Sequence, residues 1–481
     1  MKLINPLIII RILSTILLIE CITFLFPVPI ALIYHEDLSP FIWSSLITFA
    51  IFGLLQIAGR NAGTEEITSR DGFLAVTLSW LVFTLIGSLP YLISGSIPSF
   101  INAYFESTSG YSTTGASILT DVEILPYSIL FYRSLTHWIG GFGIIMLVIL
   151  VLPSLKVSGY QLFSLESSVT EKIHPKTQAV GIRIMFIYLG LTLAEVIILW
   201  SGDMNLFDSI CHTFGTVATG GFSTKNNSIQ HFSNYSQYVV MTFMILSGIS
   251  QVVYYYLLKF NFRKVKHNEE LKFFLGVIII SGMTATIILL AGNAGSFEYA
   301  FRNGFFQTIS IITCTGFTTT DYLLWPSTGM LLIFILMFAG GMTGSTSGGI
   351  KMARHLIVVK NIKNVMVRMS HPKALKSIRL NDKLVPENVN NTIISFIFLY
   401  LFIFIIGTII VVITGVDPVT SASSVATCMA GIGPGLGTVG PMNNYAHIPA
   451  LSKIILSLLM IIGRLEIITG FVLFSRSFWK I

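Results

Sequence analysis

Four glycines, Gly115, Gly221, Gly316 and Gly433, each follow a polar side chain by nine residues: Glu106, His212, Gln307 and Ser424. They close four short segments of one kind: SFINAYFESTSGYSTTGA at 99–116, NLFDSICHTFGTVATGGFS at 205–223, FEYAFRNGFFQTISIITCTGFT at 297–318 and DPVTSASSVATCMAGIGPGLG at 417–437. Each is weakly apolar, too short to cross a bilayer, and ends in glycine and hydroxyl residues, and the recurrence at roughly a hundred residues marks an internal repeat. Aligning the second segment on Gly221 rather than Gly220 keeps Gly221-Phe222 matched with Gly316-Phe317. Irregular backbone at membrane depth is tolerated only where it is buried in protein or lines a wet cavity. A half-crossing helix followed by an extended glycine-bearing stretch leaves carbonyl oxygens free, and these can replace the hydration shell of a cation. Glycine suits the position because it accepts dihedrals that aim a carbonyl inward and adds no side chain to narrow a pore. The expected filter residues are Thr113, Thr114, Gly115, Gly220, Gly221, Thr315, Gly316, Ile432 and Gly433, with hydroxyl support from the threonines, Thr219 included.

Such segments need a membrane scaffold, and the rest of the chain supplies one. Of 481 residues, 53% are hydrophobic and 11% charged, a composition that excludes an ordinary soluble domain. Apolar stretches long enough to span lie near 7–33, 40–59, 72–95, 127–152, 180–201, 236–258, 272–292, 326–345, 391–414 and 451–475. The first is too long for a signal-peptide core and lacks a small-residue cleavage site, so it is expected to stay as a span. Basic residues cluster in alternate connections: Lys156, Lys172, Lys176 and Arg183; then Lys259, Arg263, Lys264, Lys266 and Lys272; then a run from Lys351 to Lys383. Intervening loops hold only Lys225, Arg302 and Lys453. Positive charge stays on the cytoplasmic side, which places both termini inside and attributes the net charge of +7 to topology rather than nucleic-acid binding. The four cysteines form no CxxC pair, which supports neither a disulfide framework nor a zinc site.

The expected fold is therefore an all-α polytopic membrane protein with four tandem span, pore-helix, span repeats around one central pore, plus two extra N-terminal spans. The divisions are 1–60 for the extra spans, 61–155, 156–260 and 261–385 for three repeats, and 386–481 for the fourth.

Within the third repeat, residues 340–349 hold five glycines and four Ser/Thr residues. Close helix packing calls for small residues at every fourth position, not a continuous run. Gly340, Gly341, Thr343, Gly344, Ser345, Thr346, Ser347, Gly348 and Gly349 are accordingly expected to form a gate loop beneath the filter. Arg464 lies halfway along the last span, where a lone arginine costs about 2.5–3.5 kcal/mol. A pore-facing position that repels cations is expected, because Glu466, two residues on, does not share its helix face. Among carboxylates near the outer mouth, Asp121, Glu123, Asp208 and Asp417 read mainly as solvated or capping groups, and Glu106 as a support behind the filter. His212 and Gln307 are expected to hydrogen-bond to neighbours, as are Arg133 and His137. The basic stretch 351–390 reads as topology, attraction to anionic lipid and a docking face.

Several stretches resemble the membrane subunit of Trk-type bacterial potassium uptake systems, the TrkH/TrkG family of the Trk/Ktr/HKT superfamily. They are RSLTHWIGGFGIIML at 133–147, EKIHPKT at 171–177, GGMTGSTSGGIKMAR at 340–354, GIGPGLG at 431–437 and GRLEI at 463–467. The resemblance covers nearly the whole chain. It implies a bacterial cytoplasmic membrane protein, a pore within each monomer, homodimers in the bilayer and a cytosolic RCK-type, TrkA-like regulatory ring. It also implies no covalent cofactor, with nucleotide only on that partner. Potassium would be the substrate, held at Thr114, Gly115, Gly220, Gly221, Thr315, Gly316, Ile432 and Gly433. A glycine in all four filter loops goes with potassium in the superfamily, and a serine in the first with sodium. Two stretches depart from the pattern: Ala430-Gly431-Ile432 before Gly433, and SGISQ at 247–251. An enzyme is disfavoured because no HExxH or GxSxG motif occurs. An alternating-access carrier is disfavoured because the repeats run in one direction. A sodium-permeable member of the same superfamily is the nearest alternative.

Overall fold

The computed structural model describes residues 4–60, 68–146, 177–292, 295–371 and 377–479. EKIHPKT, Lys156, Lys172, Lys373 and Lys376 thus lie mostly or wholly outside the described residues, as does the end of the stretch expected at 127–152. Among the described residues, six helical segments are long and apolar enough to cross a membrane: Pro6–Ile33, Ser39–Ala58, Arg70–Ile93, Arg183–Trp200, Glu269–Ala291 and Glu387–Ile413. The 23 residues of Glu269–Ala291 make a helix about 35 Å long, enough for a hydrocarbon core of about 30 Å. Only 22–44% of these spans is buried against protein. Ile279, Ile280 and Ile287 are among the side chains left on the outer surface, as a lipid-facing helix requires. One minor departure from an all-α chain is a two-stranded hairpin pairing Arg379–Leu380 with Lys383–Leu384.

Inside the spans sit four short helices, Phe100–Tyr111, Leu206–Val217, Phe297–Ile312 and Pro418–Ala430. The 12 residues of the first reach about 18 Å, too short to cross a hydrocarbon core of about 30 Å. Three have a side-chain cap at the start: Asn205 accepts from the Asp208 amide, Ser296 from Tyr299, and Asp417 from Val419 and Thr420. Their C-terminal halves are almost wholly buried.

Three stretches expected as continuous spans are interrupted. The one at 236–258 is two helices, Asn234–Gly248 and Gln251–Leu258, bent by 96°. Ile249 is extended there, Ser250 caps the second half, and the Gly248 carbonyl accepts from the Met342 amide of the glycine-rich loop. The SGISQ departure is this break. The stretch at 326–345 ends its helix at Leu336, earlier than expected. The stretch at 451–475 breaks after Arg464, with Glu466 at φ +58°. Each break frees backbone groups that the site uses.

Candidate functional site: the glycine ring and the loop beneath it

All four short helices end in one motif. An amide two or three residues past the end of each helix reaches back five residues: Thr114 to Ser109 O (2.9 Å), Gly220 to Gly215 O (2.7 Å), Thr315 to Ser310 O (2.8 Å) and Ile432 to Thr427 O (2.9 Å). This Schellman-type closure needs a left-handed residue, supplied by Thr113, Thr219, Cys314 and Gly431 with φ of +54°, +56°, +56° and +69°. Gly431, the departure in the fourth segment, therefore occupies a position where glycine is the least strained residue. Two residues on, Gly115, Gly221, Gly316 and Gly433 take φ of +80°, +82°, +83° and +93°. Gly221, not Gly220, is the matching glycine.

These four glycines form a closed ring. A Cβ on Gly115 would collide with the Gly220 carbonyl, one on Gly221 with Thr315 O, and one on Gly316 with Ile432 O. A Cβ on Gly433 would lie 2.7 Å from Thr114 O, which returns the circuit to the first segment. Each glycine thus abuts the carbonyl of the residue preceding the next glycine. The helix C-termini, the negative ends of their dipoles, lead straight into this ring and favour a cation there. Thr114 and Thr315 hydroxyls bond to Ser112 (2.7 Å) and Thr313 (2.8 Å) of their own segments. The Gly433 carbonyl accepts from Tyr445 Oη at 2.8 Å, which occupies one of its two lone pairs.

The residues nine positions upstream brace the strands from behind, to different degrees. Glu106 accepts from Ser117 Oγ (2.9 Å), the Ile118 amide (2.9 Å) and Arg133 Nε (2.7 Å). Arg133 in turn donates to Ser223 O at 3.0 Å and lies 3.7 Å from the Phe222 ring centre, joining the first segment to the second. His212 Nε2 meets Ser223 Oγ at 2.9 Å, and Gln307 reaches Thr320 O at 3.4 Å. Among the described residues, Ser424 bonds only within its own helix, to Ser421 O, and Ser423 takes over the bracing with bonds to Leu436. His137 Nδ1 meets Gly110 O at 2.7 Å.

Above the ring opens a vestibule of about 170 Å³ whose lining includes all four glycines, Arg133 and Lys225 but no carboxylate among the described residues. Asp121 instead accepts from Asn226, which lowers its pKa, and Glu123 accepts from the Asn226 amide. Asp208 bonds Thr224.

Below the ring, the glycine-rich loop touches several segments at once. Thr346 Oγ1 donates to Val217 O (3.1 Å) and Ser247 O (3.3 Å), and Ser347 Oγ donates to Thr313 O (2.7 Å). Gly348 lies so close to Ala430 O that a Cβ would overlap it. Arg464 Nη1 donates to Thr346 O at 2.7 Å and Nη2 to Gly140 O at 3.4 Å. One loop with one guanidinium thus meets backbone associated with all four glycine segments. Gly344 and Gly349 hold φ of +79° and +65°, Gly340 packs on Gly348 O, Gly341 on Ser347, and Ser345 Oγ donates to Met342 O. Lys351 Nζ donates to Ser347 O. Glu466 pairs with Arg354, not Arg464.

A family described as cation transport protein, TrkH, matches residues 39–481. The chain belongs to the TrkH family. It is 35% identical to the Trk system potassium uptake protein TrkH of Escherichia coli (strain K12), with 98% of each chain covered. To the TrkG potassium uptake protein of the same organism it is 34% identical, over 94% of each. The crystal structure of the potassium transporter TrkH from Vibrio parahaemolyticus superposes with a TM-score of 0.90 at 31% identity, over 98% of this chain and 99% of that one. This TrkH family member is a multi-pass membrane transport protein and not an enzyme. Its sequence conceals two site residues that the fold brings in, Tyr445 at the ring and Glu270 at the loop. Glu270 accepts from Thr343 and Ala353, residues at sequence separations of 73 and 83. At the start of an apolar span it reads as an ordinary first-turn acid, and no local signal marks it.

Proposed function

We propose that this TrkH family member takes up potassium through the ring of Gly115, Gly221, Gly316 and Gly433, and that the loop 340–349 with Arg464 is its gate. The observation that carries the reading is the closure of the ring: four segments of one conformation, each glycine set against the next segment's carbonyl. Carbonyls of Thr114, Gly115, Gly220, Gly221, Thr315, Gly316, Ile432 and Gly433 replace the water of a dehydrated potassium ion. Such exchange needs no covalent chemistry and no resident cofactor. The relatives named for potassium uptake and the absence of serine at position 115 support potassium over sodium.

In this reading, residues 61–155, 156–260, 261–385 and 386–481 form four repeats around one axis, and residues 1–60 pack outside them. Both termini face the cytoplasm of a bacterium. The loop blocks the axis by hydrogen bonding beneath the ring, and Arg464 adds a positive charge that opposes cation passage. A homodimer and a cytosolic RCK-type ring, which carries the nucleotide, complete the assembly. The basic helix Met352–Ser370 continues directly from the loop and offers that ring a lever. The test is uptake of labelled rubidium and sodium into potassium-loaded liposomes containing the purified protein, with and without the regulatory ring. Rubidium uptake that exceeds sodium uptake and rises with the ring supports the reading. Equal rubidium and sodium fluxes overturn the potassium assignment in favour of a sodium-permeable protein.

A further inference from the structure

The gate loop has a neck, and one carboxylate holds both of its sides. Ala339 and Ile350 form a parallel bridge, and the Met352 amide donates to Gly341 O at 3.1 Å. These contacts bring the two stems together below the tip. Glu270, on the first turn of Glu269–Ala291, is completely buried against this neck. Its Oε1 accepts from the Thr343 amide at 2.7 Å and the Thr343 hydroxyl at 3.1 Å on the incoming stem. The same oxygen accepts from the Ala353 amide at 2.9 Å on the outgoing stem. Its other oxygen, Oε2, is buried without a hydrogen-bond partner among the described residues. A bond from a backbone amide to a carboxylate is stronger than one between neutral groups, and both amides would otherwise be buried donors without an acceptor.

The neighbouring Glu269 faces other partners. It pairs with Lys360 Nζ at 2.6 Å, accepts from the Asn381 amide at 2.9 Å, and donates its own amide to Asn381 Oδ1 at 2.8 Å. Lys360 also donates to Arg379 O at 2.6 Å, which binds the basic helix to the hairpin. Two adjacent carboxylates thus fix one helix start to the cytosolic face and to the neck of the loop.

We infer that Glu270 is the positioning residue of the gate: it clips the two stems at 343 and 353 so that the tip, 344–349, is presented to the axis. The inference rests on the reading of that loop as a gate. Removing the clip leaves two buried amides unsatisfied and lets the neck spread. The Thr346 and Ser347 contacts under the ring then lose their common anchor.

The experiment measures rubidium and sodium uptake by liposomes containing the full-length protein without the regulatory ring, comparing Glu270→Ala, Glu270→Gln and Arg464→Ala. Glu270→Ala is expected to raise basal rubidium uptake by about tenfold with the rubidium-to-sodium ratio unchanged, as expected for an interaction of this strength. Glu270→Gln keeps an acceptor oxygen but loses the charge that strengthens the two amide bonds, so a smaller rise in basal uptake is expected at a thermal stability near the parent's, a split that a purely architectural role does not predict. Unchanged uptake in Glu270→Ala beside a raised Arg464→Ala overturns the clip and leaves the gate standing. Unchanged uptake in both overturns the gate reading and the clip with it. If Glu270→Ala does not fold, Thr343→Val removes only the hydroxyl donor to the same oxygen. A smaller rise in basal uptake is then expected, and none overturns the inference.

Discussion

At the ring glycines, space is the limiting quantity. A Cβ on Gly316 would collide with Ile432 O, so Gly316→Ala must displace a strand of the ring. Gly53, in contrast, has nothing within 4 Å of an added Cβ among the described residues, and helix interiors favour alanine over glycine by about 0.5–1 kcal/mol. Gly316→Ala is expected to abolish ion discrimination, while Gly53→Ala leaves flux unchanged and raises thermal stability slightly, both read in parallel by uptake and thermal denaturation. The Glu106–Arg133 pair is a second residue-scale test, with side chains 0% and 4% exposed. Removing one partner of a buried pair costs about 3–5 kcal/mol, so Glu106→Ala should lower the melting temperature markedly. Asp121→Ala, at a partly exposed position, should not. The glycine register and the polar positions nine residues upstream are legible in the sequence because both are set by one local motif, a helix closing into a strand. Tyr445 and Glu270 are not legible, because each acts on backbone far away along the chain or across a turn that sequence spacing does not encode. Ser424 shows the limit of register alone: it holds the aligned position, yet Ser423 makes the bonds to Leu436.

The decisive elements are the interrupted helices. Apolar content alone marks 236–258 and 451–475 as spans, but hydropathy does not report a break where a neighbouring loop satisfies the freed backbone. Gly248 O is taken up by the Met342 amide, and Thr346 O by Arg464. The 340–349 loop itself was readable because its run of small residues fits no packing motif. Gly348→Ala would set a methyl against Ala430 O and push the loop away from the ring. Basal rubidium uptake by the protein alone is expected to rise about tenfold or more, since the equilibrium need shift by only about 1.4 kcal/mol. The measurement is the initial uptake rate at matched protein content.

Over the whole molecule, four chemically different segments, from TTG in the first to GIG in the fourth, converge on one backbone conformation around a common axis. The charge pattern and the ten apolar stretches made a polytopic fold legible. The crossing geometry of the broken spans was not, because it depends on contacts between segments distant in the chain rather than on local composition. Ion choice is expected to lie in the closed glycine ring. The most direct measurement is the ratio of rubidium to sodium uptake by Gly115→Ser in liposomes, beside the parent protein. The ring account predicts that this ratio falls at least about tenfold, a loss of about 1.4 kcal/mol of discrimination, because the added side chain meets Gly220 O. A folded Gly115→Ser protein that keeps the parent ratio and rate would contradict it.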